Sequence, residues 1–113
     1  MKSALILTLP DWHGAGPDHW LSRWELLHGH QRLQQHDWQR PLRGDWSARL
    51  QETVIDSPGP VVLVAHGLGC ILAAWWAAHS GQAHRVQAAL LVAPTDTEAE
   101  DARQCLPGWA PIA

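Results

Sequence analysis

A short apolar strand that runs through a glycine-rich turn into an alanine-rich helix is the feature that most constrains this chain. Val61–Ala65 is apolar at every position, His66-Gly67-Leu68-Gly69 follows it, and Gly69–His79 is apolar nearly all round. A strand without polar alternation is typical of a parallel sheet covered on both faces, and such a helix is buried on more than one side. The segment therefore predicts a buried strand and helix in a layered α/β structure.

Strands and helices alternate along the chain, which favours a parallel sheet with helices on both faces. We expect one domain over residues 1–113, an α/β fold with a doubly wound parallel sheet of about four strands and three helices. Thr95–Ala113 has no periodicity, and its prolines favour a loop. The second strand is polar enough to lie near an edge. The predicted strands are Ala4–Leu9, Arg32–His36, Val61–Ala65 and Ala88–Ala93.

The two earlier helices have recognisable ends and one apolar face each. Pro17 suits the first helical position, Asp18 favours the positive helix end, and Gly29 is a natural stop. Asp45 can cap a second helix that continues to about Ile55. The residues expected on the apolar faces are Trp20, Trp24 and Leu27 in the first helix, and Trp46, Leu50 and Val54 in the second.

Composition excludes several classes of protein. The net charge is -3 and the basic residues are scattered, so neither a nucleic acid nor a membrane surface is expected as a partner. The apolar run near the start is too short to span a membrane or to act as a signal peptide. Cys70 and Cys105 are the only cysteines and lack a disulfide or metal spacing, which favours a reduced, cytoplasmic location.

The turn after the third strand has the context of a nucleophile elbow, whose motif is G-x-S-x-G. Residues 65–69 read Ala-His-Gly-Leu-Gly, so the small flanking residues are present and Gly67 stands where the serine belongs. Glycine accepts the strained backbone of such a turn, but it supplies no oxygen to attack a carbonyl. An ordinary glycine turn of a doubly wound sheet fits the pentapeptide equally well.

Four segments, one of which contains this turn, form a combined pattern. They are Pro17-Asp18-His19-Trp20, Ser22-Arg23-Trp24-Glu25, Val64–Cys70 and Leu91-Val92-Ala93-Pro94. Together they resemble the retinoblastoma-binding-protein-9-like family of small serine hydrolases, and the resemblance runs from Ala4 to the end of the chain. It implies a single-domain α/β-hydrolase fold, an esterase-like activity and small ester or acyl compounds as substrates.

The resemblance also implies where the site lies. The strand order would be second, first, third, fourth, with the substrate crevice between the first and third strands, where His13 would lie. The backbone N–H groups of Trp12 and Leu68 would form the oxyanion hole. The family usually has glycine at position 11, and a glycine there suggests a left-handed backbone; this chain has Asp11.

Members of the family continue beyond this length, and the acid and the histidine of their triad follow the serine in the chain. We therefore expect residues 1–113 to be the N-terminal portion of a truncated α/β-hydrolase, with Gly67 as a vacant nucleophile position and no catalytic activity. The alternative is a non-catalytic ligand-binding or protein-interaction module. The apolar fourth strand would lie at an exposed edge of the sheet. An exposed edge strand can pair with a second copy of the chain, so we expect self-association through residues 88–93.

Other reactive residues have simpler explanations. Cys70 is expected to be a buried, inert thiol, and His66 a packed, hydrogen-bonded residue. His28, His30 and His36 form a cluster that could hold zinc, but no further ligand lies near them in the sequence, and we interpret them as solvated surface histidines. We expect no metal and no cofactor.

Overall fold

Four parallel strands form one sheet in the order β2-β1-β3-β4, which confirms the predicted topology. The strands are β1 (Leu5–Leu9), β2 (Gln31–Arg32), β3 (Val61–His66) and β4 (Val86–Val92). A computed structural model describes residues 4–14, 16, 18–35, 37–106 and 108–110, apart from the side chains of residues 102 and 103.

Four α-helices and one turn of 3-10 helix connect and follow these strands among the described residues. They are α1 (Trp20–His28), α2 (Arg43–Asp56), α3 (Leu68–His79), the 3-10 turn Ala83–Arg85, and α4 (Glu100–Cys105). None of the helices in this described part is long and apolar enough to cross a membrane.

The two faces of the sheet carry different helices, as the doubly wound prediction requires. Leu7 and Leu9 of β1 pack into a core that is shared with α2 and α3, whereas Thr8 between them donates a hydrogen bond to Glu25 of α1. Because successive side chains of a strand point to opposite faces, α1 lies on the face opposite to α2 and α3. On the α1 side, Thr8 of β1 is fully buried and Val64 of β3 is 5% exposed, so the central strands are covered on both sides.

Helix α2 confirms its predicted apolar face. Trp46, Leu50 and Val54 are at most 1% exposed. The predicted cap is wrong by a few residues, because Leu42 is the N-cap and Asp45 lies inside the first turn. There the carboxylate still favours the positive end of the helix.

The predicted apolar face of α1 is wrong. Trp24 is 39% exposed and Leu27 is 75% exposed, while Leu21 is the buried residue of the helix. Polar contacts orient α1, since Glu25 faces the sheet, accepts the hydrogen bond from Thr8 and pairs with Arg32 at 2.9 Å. A prediction from apolar periodicity considers apolar residues alone, so it does not detect a helix face that packs through an ion pair.

The C-terminal end of α1 lies where the sequence predicts it, and the N-terminal end does not. Gly29 ends the helix in the left-handed conformation, with φ 68°, as expected. The helix begins later than predicted, at Trp20, with His19 as its N-cap, and Pro17 lies outside the described residues. Asp18 therefore precedes the helix instead of opening it.

The chain after β4 is not a plain loop, which corrects the prediction for Thr95–Ala113. It contains α4, and the side chains of Thr97 and Trp109 are fully buried. Trp109 donates its indole N–H to the Pro41 carbonyl, and Thr97 donates its hydroxyl to the Trp109 carbonyl. These contacts join positions far apart in the sequence, so local periodicity does not reveal them.

The two edge strands differ in length and exposure. The predicted strand Arg32–His36 is shorter than expected, since β2 ends at Arg32 and His36 lies outside the described residues. At the other edge, β4 has most of its residues exposed, with Leu90 and Leu91 each 46% exposed. Within the described ranges no further strand lies beside β4, and an exposed apolar strand is unusual at the edge of a sheet.

Candidate active site

The carboxyl ends of β1 and β3 meet at the edge of the sheet where ligands bind in doubly wound folds. Asp11 and Trp12 follow β1 closely, and Gly67 and Leu68 follow β3 directly. Adjacent parallel strands therefore bring two loops together that are distant in the sequence.

Gly67 has the backbone of a strained strand-to-helix turn. Its φ is 57° and its ψ is -121°, and it is the N-cap of α3. A side chain is disfavoured in this conformation, so glycine suits the turn. The Gly67 N–H donates to the Val92 carbonyl at 3.1 Å, and the Gly67 carbonyl accepts the N–H of Cys70 at 3.1 Å.

The carboxylate of Asp11 lies between two backbone N–H groups. Its Oδ1 atom accepts a hydrogen bond from Leu68 N at 2.6 Å and from Trp12 N at 2.7 Å. These are the same two N–H groups that the family resemblance assigns to an oxyanion hole. A carboxylate oxygen of the chain itself therefore lies where the resemblance predicts that the oxyanion of acyl transfer forms.

The same carboxylate also fills the space beside Gly67. A Cβ atom on residue 67 would lie 2.1 Å from Asp11 Cγ and 2.3 Å from Oδ2. Both distances are far shorter than a van der Waals contact, so a serine at position 67 and this conformer of Asp11 exclude each other. The two positions at which the sequence departs from the family pattern are thus in contact, which the sequence analysis missed.

The backbone after β1 corrects one expectation about position 11. The described non-glycine residues with positive φ are His13, at 71°, and Ala93, at 50°, so Asp11 does not need the conformation that favours glycine. The left-handed positions of this loop are His13 and Gly14, whose φ is 79°. The Gly14 N–H donates to the Asp11 carbonyl at 2.8 Å, which closes the turn.

Trp12 and His13 follow Asp11 in the loop after β1, and both contact Gln39. Their rings stack with centroids 4.3 Å apart, and Trp12 donates its indole N–H to the Gln39 carbonyl at 2.9 Å. The Nδ1 atom of His13 lies 2.8 Å from Gln39 Oε1, and the His13 side chain is exposed. Gln39 therefore holds both rings, and a role of His13 in substrate contact stays a prediction.

Two histidines lie on the α1 side of this site. The rings of His19 and His66 are 4.8 Å apart, and Trp20 packs edge-on against His66 at 5.8 Å. His19 Nδ1 accepts the N–H of Leu21, which places the proton of a neutral ring on Nε2. Burial lowers the pKa of His19, the nearby His66 and Arg32 lower it further, and Asp11 opposes them, so the neutral form of the ring is favoured.

His66 is packed as expected, but the expected hydrogen bond to its Nδ1 atom is missing among the described residues. Its Nδ1 atom is buried and has no hydrogen-bond partner in the described part of the chain. A buried ring nitrogen without a partner costs about 1–3 kcal/mol, and such atoms are found where a site is incomplete or strained. His66 therefore adds a second unusual polar group beside Gly67.

Cys70 is the only thiol near the site within the described residues. Its side chain is buried and donates weakly to the Val92 carbonyl, with Sγ 3.5 Å from the oxygen. Burial raises the pKa of the Cys70 thiol, so the thiolate is disfavoured at neutral pH. This agrees with an inert thiol, whereas Cys105 is exposed.

The histidines near the end of α1 do not assemble with further ligands in the described residues. The rings of His28 and His30 stack 5.5 Å apart, and His36 lies outside that part of the structure. Burial and the neighbouring His28 lower the pKa of His30. Across the described ranges, no group of three or more His, Cys, Asp or Glu residues is arranged to hold a metal ion.

Comparison with known proteins agrees with this fold. The family model for serine hydrolases matches residues 6–113. This chain belongs to the serine hydrolase family. No match was found among curated proteins.

One solved structure supports the fold of this serine hydrolase family member. It is described as a YdeN-like hydrolase from Pectobacterium atrosepticum, and it superposes with a TM-score of 0.78 at 21% sequence identity. The match covers 91% of this chain and 55% of the other chain. The chain therefore spans about half the length of the hydrolase it matches, and the similarity concerns the fold.

Proposed function

We propose that this chain is a member of the serine hydrolase family that does not hydrolyse esters. Its crevice between β1 and β3 derives from a site for small ester or acyl compounds, as in the retinoblastoma-binding-protein-9-like hydrolases that the sequence resembles. The observation that carries the proposal is the carboxylate of Asp11, which accepts both N–H groups of the expected oxyanion hole.

Ester hydrolysis through an acyl-enzyme needs two things at this turn. A side-chain oxygen must attack the carbonyl carbon, and two N–H groups must receive the oxygen that becomes negative. Position 67 supplies no side-chain oxygen, and the two N–H groups already bind a carboxylate. A second negative oxygen would be repelled by the first, so the substrate carbonyl has no favourable place to react.

The magnitude of each loss supports an inactive site. Loss of a single oxyanion-hole donor costs about a hundredfold to a thousandfold in kcat. Loss of the nucleophile of a serine hydrolase costs about a millionfold. Gly67 and Asp11 together therefore leave no route to measurable turnover of an ester.

The test is a direct assay of the purified 113-residue chain. We expect no labelling by a fluorophosphonate serine probe and no p-nitrophenyl acetate hydrolysis above that of buffer, with an active serine hydrolase as positive control. Probe labelling and ester hydrolysis should be the same for the folded chain as for the chain unfolded in urea. Saturable turnover, or labelling that is lost in urea, would overturn the proposal.

A non-catalytic interaction module is the second candidate function, and the exposed apolar edge of β4 favours it. This candidate concerns a different part of the molecule, because β4 lies at the end of the sheet and the crevice lies between β1 and β3. The two candidates are therefore compatible. The oligomeric state of the chain tests this one separately.

A further inference from the structure

The free edge of β4 has a short regular stretch in which two residues direct their backbone groups away from the sheet. The register with β3 is regular from Ala88 to Val92, because its shift lies before Ala88. The Val92 carbonyl accepts the Gly67 N–H on the β3 side. The backbone groups of successive strand residues point to opposite edges, so those of Ala89 and Leu91 point away from β3. Two residues of the strand therefore offer an N–H and a C=O each to another strand.

We infer that this edge binds a second copy of the chain, in an antiparallel pair whose two-fold axis lies between the Leu90 residues of the two copies. The inference rests on the second candidate function and deepens it by naming the partner and the register. A two-fold axis perpendicular to the sheet reverses the strand direction and keeps α3 of both copies on one face. It also places one residue opposite itself, because paired side chains share a face. The two four-stranded sheets then continue into one another.

The backbone of β4 selects Leu90 as the residue at the axis. In this register Ala89 of each copy lies opposite Leu91 of the other, and such a pair exchanges both of its N–H···O=C hydrogen bonds. An axis nearer the start of the strand would bring Gln87, at the register shift, into the ladder. An axis at Leu91 would place Ala89 opposite Ala93, whose φ of 50° lies outside the β region. The axis at Leu90 uses regular strand residues throughout.

The apolar surface beside the edge fits the same arrangement. A groove of about 340 Å³ lies between α3 and β4, and its walls include Ala74 and Ala77 of the helix and Ala89 and Leu91 of the strand. The two-fold axis brings the groove of the second copy beside it. In the paired strands, the small side chain of Ala89 lies opposite the larger Leu91 on this face. Pairing therefore removes apolar surface of both copies from water, which favours association.

The charges at the two ends of β4 favour an antiparallel second copy as the partner. His84 and Arg85 precede the strand, and Asp96 and Glu98 follow it, while the strand itself carries no charged residue. Antiparallel pairing places the basic end of each copy beside the acidic end of the other, and the two-fold axis repeats this contact. Parallel pairing of two copies would place like charges together. The strand is thus complementary to its own reversed copy in charge as well as in register.

Disulfide trapping tests the register. All variants carry Cys105→Ser, because Cys105 is exposed, whereas Cys70 is buried. Opposed Cα atoms of a non-hydrogen-bonded pair lie about 4.5 Å apart, so Leu90→Cys should form a linked dimer with copper phenanthroline. Ala88→Cys is the matched control, since Ala88 is exposed on the same face and its two copies lie about 13 Å apart along the strands. We expect at least about fivefold more linked dimer from Leu90→Cys, and no difference in urea.

A mixture of two variants tests the register a second time and still decides if Leu90→Cys does not fold. Residue 88 of one copy lies opposite residue 92 of the other, so Ala88→Cys mixed with Val92→Cys should link better than either variant by itself. Equal linking of Leu90→Cys and Ala88→Cys, or no gain in the mixture, overturns the inference.

The outcomes separate this inference from the proposed function. A dimer that is not trapped at Leu90 overturns the inference and leaves the second candidate function in place. A chain that stays monomeric overturns both. Esterase activity overturns the first proposal, which rests on Asp11 and Gly67 and not on β4.

Discussion

At the scale of single residues, positions 11 and 67 behave as a pair. Asp11 is a large acidic residue where the resembling family has glycine, and Gly67 is a glycine where that family has serine. The structure puts the Asp11 carboxyl carbon 2.1 Å from the point where a Cβ of residue 67 would lie. The absence of a side chain at Gly67 leaves space for the Asp11 carboxylate, and the carboxylate fills that space. The strained turn itself is preserved, since Gly67 keeps a φ of 57°.

A double-mutant cycle tests this pairing. Gly67→Ser should destabilise the chain by about 1–3 kcal/mol in urea unfolding, because the new side chain overlaps the Asp11 carboxylate. Combining it with Asp11→Gly should recover part of the loss, with an interaction energy of about 1–3 kcal/mol. The strain of a side chain at positive φ is common to both backgrounds and cancels. Gly67→Ser alone should gain no esterase activity.

Gly81→Ser is the matched control for this cycle. A Cβ at Gly81 meets no atom within 4 Å, so the substitution should change stability little in either background. Additive effects of the changes at 11 and 67, within about 0.5 kcal/mol, would show that the two side chains do not compete for one space.

At the scale of elements, sequence patterns predicted most of the fold and little of the site. Apolar runs located β1, β3 and β4, and the strand order was confirmed. The face of α2 was also predictable, because Trp46, Leu50 and Val54 recur at helical spacing and are all buried. Sequence patterns did not predict the features that depend on polar contacts between distant residues. The orientation of α1 depends on Glu25, and the occupied N–H pair depends on a contact between residues 57 positions apart.

The orientation of α1 yields a second prediction. Glu25→Ala should destabilise the chain by about 2 kcal/mol, because it leaves the buried Thr8 hydroxyl and the half-buried Arg32 guanidinium without their carboxylate. Leu27→Ala should cost less than about 0.5 kcal/mol, because that side chain is 75% exposed. Periodicity alone predicts the opposite ranking. Urea unfolding of the two variants measures it, and a larger loss for Leu27→Ala would restore the apolar face as the basis of α1 packing.

At the scale of the whole molecule, the edge strand β4 has the apolar sequence that is typical of a strand in the interior of a sheet. β4 pairs with β3 on one side, from Val61–Val86 to His66–Val92, and its sequence is apolar at most positions. Among the described residues no strand pairs with its other side, and Leu90 and Leu91 are each 46% exposed, which favours pairing with another chain. In strand order, β3 lies between β4 and the crevice, and the Val92 carbonyl of β4 accepts the Gly67 N–H at 3.1 Å.

We propose that β4 mediates self-association, and one charge on this strand should weaken it. Sedimentation of the purified chain should show a mass that rises above 12.5 kDa with concentration. Leu90→Lys should shift the chain toward the monomer, because a lysine on an edge strand opposes strand pairing. Leu42→Lys is the control, since Leu42 is 55% exposed, comparable with Leu90 at 46%, but lies at the start of α2. A monomeric wild-type chain at all concentrations, or equal effects of the two lysines, would exclude association through this edge.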